Sequence, residues 1–141
     1  CTEGGGWNIE QGTYIQAPMY INGAYKTAVS NKTWSNLVNG WHHIAATYDG
    51  ANVKIYIDGV QSGNSVAASG SIQYYANNTL FIGAEAGSSD TTPAGQYFNG
   101  RISDVRIYST ALSAADIKEL YQTSASVDKN GNMHCYELVE S

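Results

Sequence analysis

Three features of this chain could do chemistry: the adjacent pair His42-His43, the carboxylates of Glu85 and Asp90 in one polar loop, and a broad scatter of aromatic side chains. Neighbours on an extended strand point to opposite faces, so His42 and His43 cannot share one metal ion without a bulge. No further ligand stands at a zinc-like spacing from them. The loop at 85–92 reads Glu-Ala-Gly-Ser-Ser-Asp-Thr-Thr and adds backbone carbonyls made accessible by Gly87. Hard oxygen donors of this kind suit calcium, but a full site takes six or more of them, and an ordinary polar connection needs none. The aromatic complement is 11 Tyr and 3 Trp. Sugar rings stack their C–H faces on such side chains while their hydroxyls seek Asn, Asp and Gln. Trp7, Trp34, Tyr74, Tyr75 and Tyr97 lie in or beside loops, with Asn77, Asn78, Asp90 and Gln96 near them. Tyrosine also suits a half-buried strand surface with no ligand at all. No nucleophile elbow, Walker loop or zinc-spaced His/Cys set occurs.

The elements that must position these residues are short strands. Asn22-Gly23 sits between two β-rich runs within residues 13–29, the strongest short hairpin signal. Pro18 demotes the first of those runs to an edge or irregular strand. Residues 30–40 read as a polar loop carrying Trp34 and Leu37. From 41 to 50 the pattern alternates, with Ile44, Ala46 and Tyr48 on one face and His43, Ala45 and Thr47 on the other. Asp49-Gly50 turns the chain, Val53, Ile55 and Ile57 then share a face, and Asp58-Gly59 turns it again. Strand, turn, strand, turn predicts a β-meander. Residues 78–85 predict another strand, with Leu80 and Ile82 joining the same core layer. Residues 97–109 predict a strand with a β-bulge at Ser103-Asp104, because Ile102 to Val105 is an odd step and Val105 to Ile107 an even one. One helix is expected over 111–123. Ser113 caps it, Asp116 follows three residues on, and Leu112, Ile117, Leu120 and Tyr121 form its apolar stripe. Asn130-Gly131 and the run 133–139 predict a closing hairpin or strand extension over 124–141.

Bulk properties bound the rest. A chain of 141 residues makes one domain, and 43% apolar against 13% charged residues is a folding composition. The 15 glycines, with many Asn, Ser and Thr, suit tight turns. Twelve acids against seven bases give a net charge of −5, and the bases are scattered singly. A nucleic-acid partner or an anionic membrane surface wants a clustered basic face, so both are disfavoured. No apolar run approaches the roughly 20 residues of a membrane span, and no signal peptide is seen. The first residue is Cys1, which suggests a processed or truncated chain or a part of a longer one. Cys1 and Cys135 lie at opposite ends. They form either a disulfide clamping the termini, as in an oxidising compartment, or two separate thiols.

Four ordered stretches carry a family resemblance. They are Trp41-His42-His43-Ile44-Ala45 with Tyr48-Asp49-Gly50; Val53 through Gly59; Leu80-Phe81-Ile82-Gly83; and Phe98 through Tyr108. With Ala111-Leu112-Ser113 and Ile117 they resemble the laminin G-like family of concanavalin A-like lectin/glucanase sandwiches, over roughly residues 14–122. The resemblance implies an all-β, antiparallel jelly-roll sandwich with one short helix near the C-terminus, and gives His42-His43 a structural place in a strand. It implies calcium at a loop rim, for which Glu85 and Asp90 are the candidates here. The glucanase branch needs a Glu-x-Asp-x-x-Glu or Glu-x-Asp-x-Glu cluster, and Glu85 has no acidic partner before Asp90. The family's opening strands have no counterpart before Gly4-Gly5-Gly6-Trp7. The tail from Val127 to Glu140 resembles the ends of structural proteins of tailed bacterial viruses.

The chain therefore reads as a single non-catalytic domain spanning 1–141, extracellular, on a cell surface or on a virion. Its expected ligand is a glycan or cell surface, bound by Trp7, Trp34, Tyr74, Tyr75, Tyr97, Asn77 and Gln96. The alternative is a decoration or fibre module whose partner is a neighbouring protein chain or a second copy, without nucleic acid or membrane insertion. A sandwich lacking opening strands leaves an open edge. The expected place is 133–139, covered by residues 1–9 or by a neighbouring subunit.

Overall fold

Asn22 and Gly23 both take positive φ, 50° and 79°, which a tight hairpin turn requires at its two central positions. In this computed structural model, which describes residues 6–38, 40–74, 79–86, 93–95, 97–124, 126–127 and 133–134, that turn joins the two longest strands. After β1 (Glu10–Gln11) come β2 (Tyr14–Ile21) and β3 (Ala24–Thr33), then a 3-10 turn at Trp34–Asn36. Next come β4 (Ile44–Tyr48), β5 (Asn52–Ile57), β6 (Val60–Gln61) and β7 (Val66–Ala67). Shorter pieces follow: β8 (Glu85–Ala86), β9 (Pro93–Gly95), α1 (Ala114–Ser124), β10 (Ser126–Val127) and β11 (Met133–His134).

The two main sheets are antiparallel, one in the order β1-β2-β3 and the other β4-β5-β6, with β7 also on β5. Their facing sides follow the two-residue period of a strand. From β2 come Ile15, Ala17, Met19 and Ile21, and from β5 come Val53, Ile55 and Ile57, all buried in one core with Ala28, Leu37 and Ala68. Each fully buried aliphatic side chain contributes roughly 1.5–3 kcal/mol. Two buried hydroxyls are satisfied: Ser30 Oγ accepts the Ile15 N–H at 3.1 Å, and Ser62 Oγ donates to Asn31 Oδ1 at 2.6 Å.

The meander forms as the alternation predicts. Ile44 pairs with Ile57, Ala46 with Ile55 and Tyr48 with Val53. The Asp49 carboxylate accepts the backbone N–H groups of Ala51 and Asn52, building the first turn. At the second turn Asp58 and Gly59 have φ of 54° and 76°. Gly59 is needed twice over: a Cβ there would stand 3.1 Å from the Tyr121 ring and 3.2 Å from the Lys118 Cα. Helix α1 thus lies directly on this turn. Its start is a reciprocal cap, with Asp116 N–H donating to Ser113 Oγ at 3.2 Å and Ser113 N–H to Asp116 Oδ2 at 2.9 Å. Ile117 is buried, and Leu112, Leu120 and Tyr121 are half-buried.

Three expectations need correction. Pro18 is buried in β2, the central strand of its sheet. The proline nitrogen faces residues 7–8, where Asn8 N–H donates to the Pro18 carbonyl at 3.2 Å, so no bond to β3 is lost. Of the described residues 79–86, only Glu85–Ala86 form a strand, and Leu80 and Ile82 are 57% and 58% exposed rather than core. Residues 97–111 hold no strand, so there is no ladder for a bulge to interrupt; Ile102, Val105 and Ile107 are 48%, 51% and 58% exposed. The irregularity expected at Ser103-Asp104 survives only as a positive φ of 53° at Asp104. Alternation marks a face that can be covered, but covering it takes a distant partner, which no local turn supplies. The N-terminal residues Trp7, Glu10 and Gln11 pair with β2. At the C-terminus β10 pairs antiparallel with β11. Residues 135–139, the Asn130-Gly131 turn, Cys1 and Cys135 lie outside the described residues.

Candidate functional site

Strand β4 borders a groove of about 680 Å³. Residues 41–48 line it together with 103–104 and 106–112, and Met19, Ile72 and Ile117 are among its apolar side chains. Trp7 and Tyr74, expected at a ligand site, both line it. Trp34 does not: it sits on the 3-10 turn and packs edge-on against Phe98, with ring centroids 5.6 Å apart. Tyr97, next to Phe98, is exposed and outside the groove. Tyr75, Asn77, Asn78, Gln96 and Asp90 lie outside the described residues. Glu85 is half-buried in β8, where it pairs with Gly95. Among the described residues no group of three or more His, Cys, Asp or Glu comes together to hold a metal.

The sequence reading missed Trp41, Tyr108 and Tyr121 as groove residues. Trp41 and Tyr108 stand in strand-like runs, and Tyr121 in the helical stripe, so each read as structural. Only the third dimension brings 41–48 and 106–112 to one groove.

Ionisable groups at the groove are paired internally. Asp58 works as a clamp, its Oδ2 2.9 Å from His42 Nδ1 while its Oδ1 accepts the His43 backbone N–H at 3.1 Å. This ties the start of β4 to the β5–β6 turn and gives His42 a structural task. Arg106 Nε donates to Asp104 Oδ1 at 2.7 Å. His43 differs: its Nδ1 is buried without a hydrogen-bond partner among the described residues, and its ring lies 6.2 Å from that of Tyr121. Burial pushes the His43 pKa below its usual value, against the opposing pull of Asp58 and Asp104. The imidazole is therefore held neutral beside helix α1.

The comparisons with known proteins agree with this architecture. A laminin G family profile, described as concanavalin A-like lectin/glucanases superfamily, matches residues 2–118. The chain belongs to this superfamily. The laminin G-like match takes in both main sheets and the start of α1, and ends one residue after the buried Ile117. No curated protein matches the chain. Among solved structures, this laminin G-like chain is similar to an S-layer domain-containing protein from Clostridium thermocellum ATCC 27405, at 28% identity and a TM-score of 0.50. The match covers 77% of this chain and 51% of that one, so this chain spans about half the length of its structural neighbour.

Proposed function

We propose that this laminin G-like domain is a non-catalytic module of an extracellular or cell surface, and that its partner there is another protein chain. One observation carries the reading: the apolar side chains of Ile102, Val105 and Ile107 are exposed along one strandless segment. Leu80 and Ile82 are exposed on the segment that joins it through the Phe98 N–H to Gly83 carbonyl bond. Apolar surface grouped in this way marks an interaction site more often than scattered single residues do. The surface setting draws support from the S-layer domain-containing neighbour. Among the described residues no helix is long and apolar enough to cross a membrane. A virion is the narrower version of that setting, resting on the tail resemblance over 127–140.

A glycan is the second reading, favoured by the convergence of Trp7, Trp41, Tyr74 and Tyr108 on one groove. Sedimentation at rising concentration, run beside a glycan array, separates the two. The expected result is association that Ile102→Ser and Ile107→Ser together abolish, with no array signal. A chain that stays monomeric and binds an arrayed glycan through Trp41, with binding lost in Trp41→Ala, overturns the protein-partner reading.

A further inference from the structure

Among the described residues β4 is an edge strand, and the register shows which of its backbone groups have no partner there. His43 C=O accepts the Asp58 N–H and Asp49 N–H donates to the Asn52 C=O, so the odd-numbered residues of this strand turn their backbone groups toward β5. Ile55, opposite Ala46, gives its carbonyl to Ser62 on the far side, which confirms the alternation. The N–H and C=O groups of Ile44, Ala46 and Tyr48 consequently point away from β5. No other described residue bonds to them. At the same groove, residues 103–108 are likewise without a strand partner among the described residues.

From this we infer that the groove is a slot for one added β-strand, contributed by another polypeptide in extended conformation and bonded to the open edge of β4. The inference rests on the protein-partner reading above and specifies its geometry. Unpaired donors and acceptors that recur every second residue match a peptide backbone, which carries the same period. Sugar hydroxyls have no such fixed repeat. The lining fixes the side chains: Met19, Ile72 and Ile117 call for apolar residues at alternate positions. Charge fixes the rest. Arg106 is paired with Asp104, and the Asp58 carboxylate is taken up by His42 Nδ1 and Lys32, so an uncharged strand fits where an acidic or basic one would meet no free counter-charge. Exposed edges are usually blunted by Lys, Pro or a bulge; here Ile44-Ala45-Ala46-Thr47-Tyr48 has neither residue and pairs with β5 in regular register.

The probe is acetyl-Thr-Val-Thr-Val-Thr-Val-Thr-amide, neutral and apolar at alternate positions, added to the whole chain while backbone amide exchange is followed by NMR. The free protein should protect Ala45 and Thr47, already bonded to β5, and leave Ile44, Ala46 and Tyr48 fast. Saturating peptide should slow those three amides by at least about tenfold. The same peptide N-methylated at alternate residues should not. Ala46→Pro supplies the matching variant, since the lost N–H points to the open edge and the bonds to β5 remain. It should keep the fold and lose the peptide, and if it fails to fold the N-methylated peptide still decides. No binding, or binding that leaves the three amides fast, overturns strand addition. Protection confined to 102–108 also overturns it, while leaving the protein-partner reading intact.

Discussion

His43 shows how one side chain can link the groove to stability. Its buried Nδ1 has no partner among the described residues, and desolvation lowers its pKa in the folded chain. In the unfolded chain the imidazole returns to the ordinary value near 6.5. The unfolded state therefore takes up the proton first as pH falls, and stability drops from about pH 6.5 downward through the folded-state value. Above that range His43 is neutral in both states and contributes no slope. The thermal midpoint of the wild type should fall between pH 7.5 and 5.5, and His43→Gln should flatten that dependence. An equal slope in both proteins would show that another group carries it. Asp49 acts at lower pH: the Ala51 and Asn52 N–H groups and the Lys54 ammonium hold its carboxyl at about 2. Its contribution is present above the ordinary 3.8 and is lost as pH falls toward 2.

Among the elements, β5 and α1 hold the fold by different means. Strand β5 has β4 and β6 beside it and buries Val53, Ile55 and Ile57 in the inter-sheet core. Ile55→Ala removes packed volume and should cost roughly 2–5 kcal/mol. Helix α1 is docked by Ile117 and by the close approach of Tyr121 and Lys118 to Gly59, with Ser113 closing its first turn. Ser113→Ala removes only the cap and should cost about 1 kcal/mol. Chemical denaturation of both variants tests the ranking, and a Ser113→Ala loss equal to that of Ile55→Ala would contradict it. Both elements were legible in advance for the same reason. The β4–β5 pair is closed by a local turn, and the α1 cap lies within four residues of sequence.

At the scale of the whole molecule, β2 and β5 bury their facing sides while Ile44, Ala46 and Tyr48 of β4 are only partly buried, and the segment 97–111 carries apolar residues on its surface. Ile102→Ser with Ile107→Ser should leave the melting midpoint of the monomer nearly unchanged, within about 0.5 kcal/mol, as substitutions outside a core do. Calorimetry at low protein concentration checks this, and a loss of several kcal/mol would place these side chains in a core. Stability and association should thus separate: Ile55 governs the first, and Ile102 and Ile107 the second.

By itself the sequence determined the local structure. Asn22-Gly23 and Asp58-Gly59 could only turn tightly, the alternation at 44–57 allowed only one register for a one-sided core, and Ser113 with Asp116 set a helix start. The family was legible through the order of its motifs. Only the tertiary structure decided which apolar faces find a cover. Ile55 and Ile107 carry the same pattern in sequence, yet one is buried at 1% exposure and the other is open at 58%. The difference is long-range: β5 receives β4 and β6 through short turns, and the partner for 102–108 has to come from far away or from another chain. The groove was hidden for the same reason. Trp7, Trp41, Tyr74 and Tyr108 are far apart in sequence, and they meet only because β4 is left at the edge of its sheet.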